Sequence, residues 1–94
     1  MKIKALIWLE DIVDKLLWKH DVDDHEVREA LESGPLFRFV EKGHRKDEDV
    51  YAAFGRTKAG RYLIVFFVYK KDSSAIILSA RDMTLSERRL YERR

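Results

Sequence analysis

"RYLIVFFVY", Arg61 to Tyr69, is the stretch on which the fold turns. After its first residue every position is apolar, and most are the β-branched or aromatic types that favour strands. A strand with one wet face alternates polar and apolar residues. This one does not, so both of its faces must be covered, and it is expected to be the central strand of a sheet. Lys58-Ala59-Gly60 just before it reads as a tight connection, with Gly60 available for a positive φ. That turn leads back to a strand over Val50 to Arg56. On the other side Lys70 to Ser73 turns the chain into a strand over Ser74 to Ala80. Leu36 to Val40 is a further short strand, separated from Val50 by the acidic stretch Lys46 to Asp49. Four strands in succession with short turns predict an antiparallel meander.

The flanks are helical. In Glu10 to His20 the apolar residues Ile12, Val13, Leu16 and Leu17 fall at helical spacing. Asp23 with Glu26 has the form of a capping box and opens a second helix through Val27, Ala30 and Leu31, which Ser33-Gly34-Pro35 stops. Thr84 with Glu87 is another capping box and opens a last helix. Ile3 to Trp8 predicts a strand ahead of all these. The order is strand, two helices, four-strand meander and C-terminal helix. This is an α+β fold with a single layer of mostly antiparallel sheet. At 94 residues the chain forms one domain, 1–94, because it is too short for two cores.

Composition narrows the function. With 46% hydrophobic and 38% charged residues, the chain is globular rather than disordered. It has no cysteine, which excludes disulfides and thiolate metal sites and fits a reducing, cytoplasmic setting. Ala5 to Leu9 is too short for a secretory h-region. The apolar run Tyr62 to Tyr69 falls far below the ~20 residues that span a bilayer, so no membrane partner is expected. The net charge of +2 hides an asymmetry. Residues 1–55 hold 9 Lys/Arg against 13 Asp/Glu, whereas residues 56–94 hold 10 against 4. A basic half on a small domain points to a polyanion, usually nucleic acid; an unevenly charged solvated surface is the competing reading.

No phosphate-cradling G-x-x-x-x-G-K, G-x-S-x-G elbow or H-E-x-x-H helix occurs, so neither a metal nor a cofactor is expected. Arg56 and Arg81 end the two strands expected to flank the central one, which brings both guanidiniums to one edge. An arginine fork suits a phosphate because it donates two parallel hydrogen bonds and stays charged. Either arginine alone reads equally as a surface cation paired with an acidic neighbour. His20 closes the first helix, where the dipole favours its protonated form, and is either a proton donor or a simple cap. Tyr91 shares a helix face with Glu87 and Arg88 and either faces a base or packs the helix on the sheet. Arg88, Arg89, Arg93 and Arg94 either track a phosphate backbone or are merely solvated.

Several blocks together resemble the BrnT family of type II toxins, small ribonucleases related in fold to the RelE toxins. Trp8 stands twelve residues before His20; Asp24-His25-Glu26-Val27 resembles the family's F-E-E-A segment. "VYAAFGRTKAGRYLIVFFV" from Val50 resembles its G-R-T-x-x-G-R-x-L strand pair. "IILSARDMTLSERRLYERR" is similar to its I-I-S-A-R…E-R-x-x-Y ending. Where the family carries Asp, Asn and Gly in its first block, this chain has Leu9, Leu16 and Asp21, and Asp47-Glu48-Asp49 replaces a glutamate-arginine pair. The resemblance implies a toxin that cleaves RNA without a metal, by 2′-hydroxyl attack, and is neutralised by a ribbon-helix-helix antitoxin. It implies a site built on His20, Arg56, Arg81 and Tyr91, with Lys19, Arg61, Arg88 and Arg89 on the RNA. Arg56 and Arg81 would hold the phosphate, His20 transfer a proton and Tyr91 position the groups. A non-catalytic nucleic-acid or protein-binding module of the same fold is the alternative. A homo-oligomer and a toxin–antitoxin heterotetramer are both compatible assemblies.

Overall fold

In the computed structural model, which describes residues 1–94, Tyr62–Tyr69 forms β4, the middle of a five-stranded sheet. Strands β1 (Ala5–Trp8), β2 (Leu36–Glu41), β3 (Asp49–Arg56) and β5 (Ser74–Asp82) complete it in the order β1-β5-β4-β3-β2. Both edges of β4 are hydrogen-bonded, to β3 and β5, each antiparallel. Its two faces feed two cores, which explains its unbroken apolar sequence. Leu63, Val65 and Phe67 are fully buried beneath helices α1 (Ile12–His20) and α2 (Asp24–Glu32), together with Leu16, Val27 and Ile77. Ile64 faces the other way and packs with Ala52, Phe54 and Tyr91 under α3 (Leu85–Glu92).

The expected α+β order is the observed one, with one refinement: β1 runs parallel to β5, so the sheet is mixed. Element ends also differ from the expected ones. Asp11, at φ 67°, breaks the chain before α1, which therefore starts at Ile12 rather than Glu10. Asp21 closes α1 at φ 54°, a left-handed position where a glycine is the usual residue and aspartate is tolerated. The Asp21 departure from the family pattern is thus conformationally compatible. Leu16 is core.

Strand β5 extends two residues past Ala80, and a register shift opposite Phe66 and Phe67 leaves Leu78 unpaired as a bulge. Ile77 and Ala80 both join the helix-side core, which strict alternation would forbid. The extra residue inverts the parity of the strand beyond it. Arg81, paired with Ile64, is thereby aimed at the α3 face rather than into the helix-side core. Gly55 serves a different closeness. A Cβ there would lie 2.3 Å from the carbonyl oxygen of Ala30, so α2 packs on β3 only because this residue has none. Ser33, capping α2, accepts the Arg56 backbone N–H and donates to Ala30, which fixes the end of β3 beside that helix.

Candidate functional site

The turn between β3 and β4 is held by its own sequence. Thr57 is buried; its N–H donates to the Arg61 carbonyl at 2.9 Å, and its hydroxyl accepts the Arg61 N–H at 3.0 Å. Gly60, at φ 94°, donates to the Thr57 carbonyl. The Arg56 side chain folds back across this turn, its Nε donating to the Gly60 carbonyl and its guanidinium carbon 4.7 Å from the centre of the Tyr62 ring. Arg88, arriving from α3, lies 3.9 Å from the same ring centre. Arg56, Arg61, Tyr62, Asp82 and Arg88 line an open groove of about 390 Å³ at this end of the sheet.

The two guanidiniums over the Tyr62 ring are lightly compensated. Arg56 pairs with no carboxylate, and Arg88 meets Glu92 only at 3.8 Å between half-exposed side chains. Their carbons are at most about 9 Å apart, the sum of the two ring distances. Such charges repel by at least about 0.5 kcal/mol in water and at least about 2 kcal/mol at an effective dielectric of about 20. Each cation–π contact contributes about 0.5–1 kcal/mol at an exposed site, which is of the same order as that repulsion. An anion placed between the two forks tips that balance by neutralising both.

Arg61 and Arg81 are in a different condition. Arg61 donates to Asp82 through Nε and Nη2, to Glu26 and the Asp21 carbonyl through Nη1, and to the His20 carbonyl through Nη2. It joins the α1–α2 junction to the end of β5, and its bonds to Asp82 raise its pKa further above the ordinary arginine value. Arg81 forms a two-pronged pair with Glu87, Nη1–Oε1 at 2.7 Å and Nη2–Oε2 at 3.0 Å, and lies over the Phe66 ring. That pairing holds the Glu87 carboxyl down at about 2.

The structure brings Arg56, Arg61 and Arg88 to one groove. His20 is not among the residues that line it; its backbone carbonyl is bound by Arg61, and it is the last contributor to the lowering of Asp82, which Arg61 dominates. Arg81 sits next to Asp82 on β5 and, like Arg56, projects from the α3 face, but its fork is taken by Glu87. Tyr91 is buried, edge-on to Tyr62 with centroids 5.9 Å apart, and packs α3 onto the sheet. Lys19 is exposed one residue before His20. Arg89 lies apart, on a shallow surface with Ser86 and Arg93. Sequence reasoning missed Tyr62, which it read only as strand, and Glu87 as an arginine partner, since the capping box already accounted for it. The available signal for Tyr62 was its place at the start of β4, directly after the G-R-T-x-x-G-R turn that carries Arg56.

A family model described as the ribonuclease toxin BrnT of type II toxin–antitoxin systems matches residues 8–87. No curated protein matches the chain in sequence. Among solved structures, the Brucella abortus ribonuclease toxin BrnT superposes with a TM-score of 0.58 at 17% identity, over 85% of this chain and 96% of that one. At that identity the likeness speaks for the fold.

Proposed function

The chain belongs to the BrnT family of ribonuclease toxins of type II toxin–antitoxin systems, and from this premise we propose that it cleaves RNA in the Arg56–Tyr62–Arg88 groove without a metal. The attacking group is the 2′-hydroxyl next to the scissile phosphate, which gives up its proton to solvent water as it attacks and which selects RNA over DNA. Arg56 and Arg88 hold the phosphate and stabilise the charge that builds on it in the pentacoordinate transition state. Arg81 adds positive potential from the adjoining strand through the share of its charge that Glu87 leaves. His20, whose backbone carbonyl is bound by the groove-lining Arg61, protonates the departing 5′ oxygen. Tyr91 positions the Tyr62 ring from behind, Arg61 fixes the groove's wall at its RNA-facing end, and Lys19 and Arg89 guide the backbone inward. The observation that carries this reading is the pair of lightly compensated guanidiniums on one ring at the mouth of the groove.

The toxin acts in the cytoplasm and is neutralised by a ribbon-helix-helix antitoxin, in a heterotetramer. A neighbouring reading frame of that type, whose co-expression relieves growth arrest, is the expected check.

The deciding experiment incubates the partner-free protein with labelled RNA, with and without EDTA. Cleavage is expected to survive EDTA and to leave a 2′,3′-cyclic phosphate. Arg56→Ala is expected to lower kcat/KM by about 100-fold or more, the usual cost of removing one transition-state donor. Cleavage that EDTA abolishes, or that Arg56→Ala leaves intact, overturns the proposal. The Glu87 pairing of Arg81 favours one second reading, a module that binds nucleic acid without cutting it, and binding without cleavage supports that module.

A further inference from the structure

Tyr62 belongs to none of the residues that would touch the reacting atoms, yet it touches both arginines that would. It faces Arg56 directly across the β3–β4 pair and on the same side of the sheet. Its ring is fixed at two places. Tyr91 meets it edge-on at 84°, and its hydroxyl donates to Oε2 of Glu92 at 3.4 Å. On this held ring rest guanidiniums from two separate elements, Arg56 from β3 and Arg88 from α3.

A ring orders a guanidinium lying over it in a way that a salt bridge does not. The five N–H donors lie in the guanidinium plane and point outward, so a cation laid against a ring keeps them available. Arg61 is ordered by carboxylates and helix-end carbonyls that take donors from all three of its nitrogens, and Arg81 commits both terminal nitrogens to Glu87. Arg56 gives up only Nε, to the Gly60 carbonyl, and leaves both terminal nitrogens free. Arg88 approaches Glu92 at 3.8 Å, beyond hydrogen-bond length. We propose that Tyr62 is a positioning residue that holds Arg56 and Arg88 as a two-pronged clamp for one phosphodiester, ordering both forks without consuming their donors. The proposal rests on reading the groove as an RNA site.

The test measures binding apart from cleavage, with a single-stranded RNA oligonucleotide whose 2′-hydroxyls are all methylated and cannot attack. Tyr62→Phe keeps the ring and loses only the bond to Glu92; it is expected to bind within about twofold of the parent protein. Tyr62→Leu removes the ring and is expected to bind about tenfold more weakly at a temperature where melting shows it folded, a loss in the range of one stacked contact. Combined with Arg56→Ala, Tyr62→Leu is expected to cost less than the sum of the two single losses, because only the ordering of Arg88 is left for it to remove. A merely structural role predicts lowered melting temperatures but unchanged affinity of the folded protein. Full affinity in Tyr62→Leu, or additive losses in the double variant, overturns the proposal. So does a parent protein that fails to bind the methylated oligonucleotide at low salt. A parent that binds it but leaves ordinary RNA uncut sinks the catalytic reading and leaves the clamp standing.

Discussion

Arg56 and Arg61 bracket one turn, carry the same side chain, and are given opposite tasks by the fold. Both were legible in the sequence as cations of a G-R-T-x-x-G-R segment. What separates them is the supply of acceptors, which only the tertiary structure determines. Arg61 reaches two carboxylates and two helix-end carbonyls, whereas Arg56 reaches one carbonyl and a ring. Removing Arg61 leaves Glu26 and Asp82 without their partner and the C-terminal carbonyls of α1 unbound. Hydrogen bonds to charged groups are worth about 1.5–3 kcal/mol, and these side chains are partly exposed, so Arg61→Ala is expected to cost about 2 kcal/mol. For a domain of this size that lowers the melting temperature by about 10 °C. Arg56→Ala, which removes no ion pair, is expected to stay within about 0.5 kcal/mol of the parent. Thermal melts of the two variants check the division. Equal losses would mean that Arg56 is structural too.

Among the elements, the two capping boxes were legible because their signal is local. Asp23 with Glu26 and Thr84 with Glu87 both form reciprocally, at α2 and α3. The bulge at Leu78 was not legible, since Ser-Ala-Ile-Ile-Leu-Ser-Ala carries no alternation whose break could be seen. Yet the bulge decides where Arg81 points. It delivers that arginine to the start of α3, where Glu87 accepts it while also accepting the Thr84 N–H. The result is a helix held by one ionised carboxylate in addition to the buried Tyr91. The sign comes from linkage: the folded carboxyl, at about 2, lies below its ordinary value of 4.5, so the folded state binds its proton less readily than the unfolded chain. The stabilisation is fully present above pH 4.5 and is lost as the pH falls toward 2. Asp82, lowered by Arg61, acts in the same direction. Chemical denaturation between pH 7 and pH 2 is expected to show stability falling through that window. Glu87→Gln is expected to be less stable at pH 7 and to flatten the acid slope. An unchanged slope in Glu87→Gln would assign the acid sensitivity elsewhere.

Across the whole molecule, the sequence asymmetry of an acidic first half and a basic second half becomes an arrangement in space. Arg56, Arg61, Arg81 and Arg88 all belong to residues 56–94, and the topology gathers them where β3 ends and β4 begins. The β2–β3 connection also carries exposed cations, Lys42, Arg45 and Lys46. It sits at the other end of the sheet, because Asp49 pairs with Tyr69 whereas Arg56 pairs with Tyr62. At about 3.4 Å per residue the two ends of β4 are roughly 24 Å apart. Charge counting along the sequence could not tell these two basic regions apart; register does. If RNA lies in the Arg56–Arg88 groove, only the near cations release counterions when it binds. For single-stranded nucleic acid the slope of log K against log salt changes by about 0.7 for each phosphate contact. Arg56→Ala is therefore expected to reduce the magnitude of that slope by about 0.7 and to weaken binding at every salt concentration. Replacing Arg45 and Lys46 together with alanine is expected to leave the slope unchanged, apart from a small long-range loss below about 0.05 M salt, where screening over that distance is incomplete. Titrating methylated RNA against each variant at several KCl concentrations measures both slopes. A larger loss from the Arg45/Lys46 pair than from Arg56 would put the polyanion at the wrong end of the sheet for the chemistry assigned to this groove.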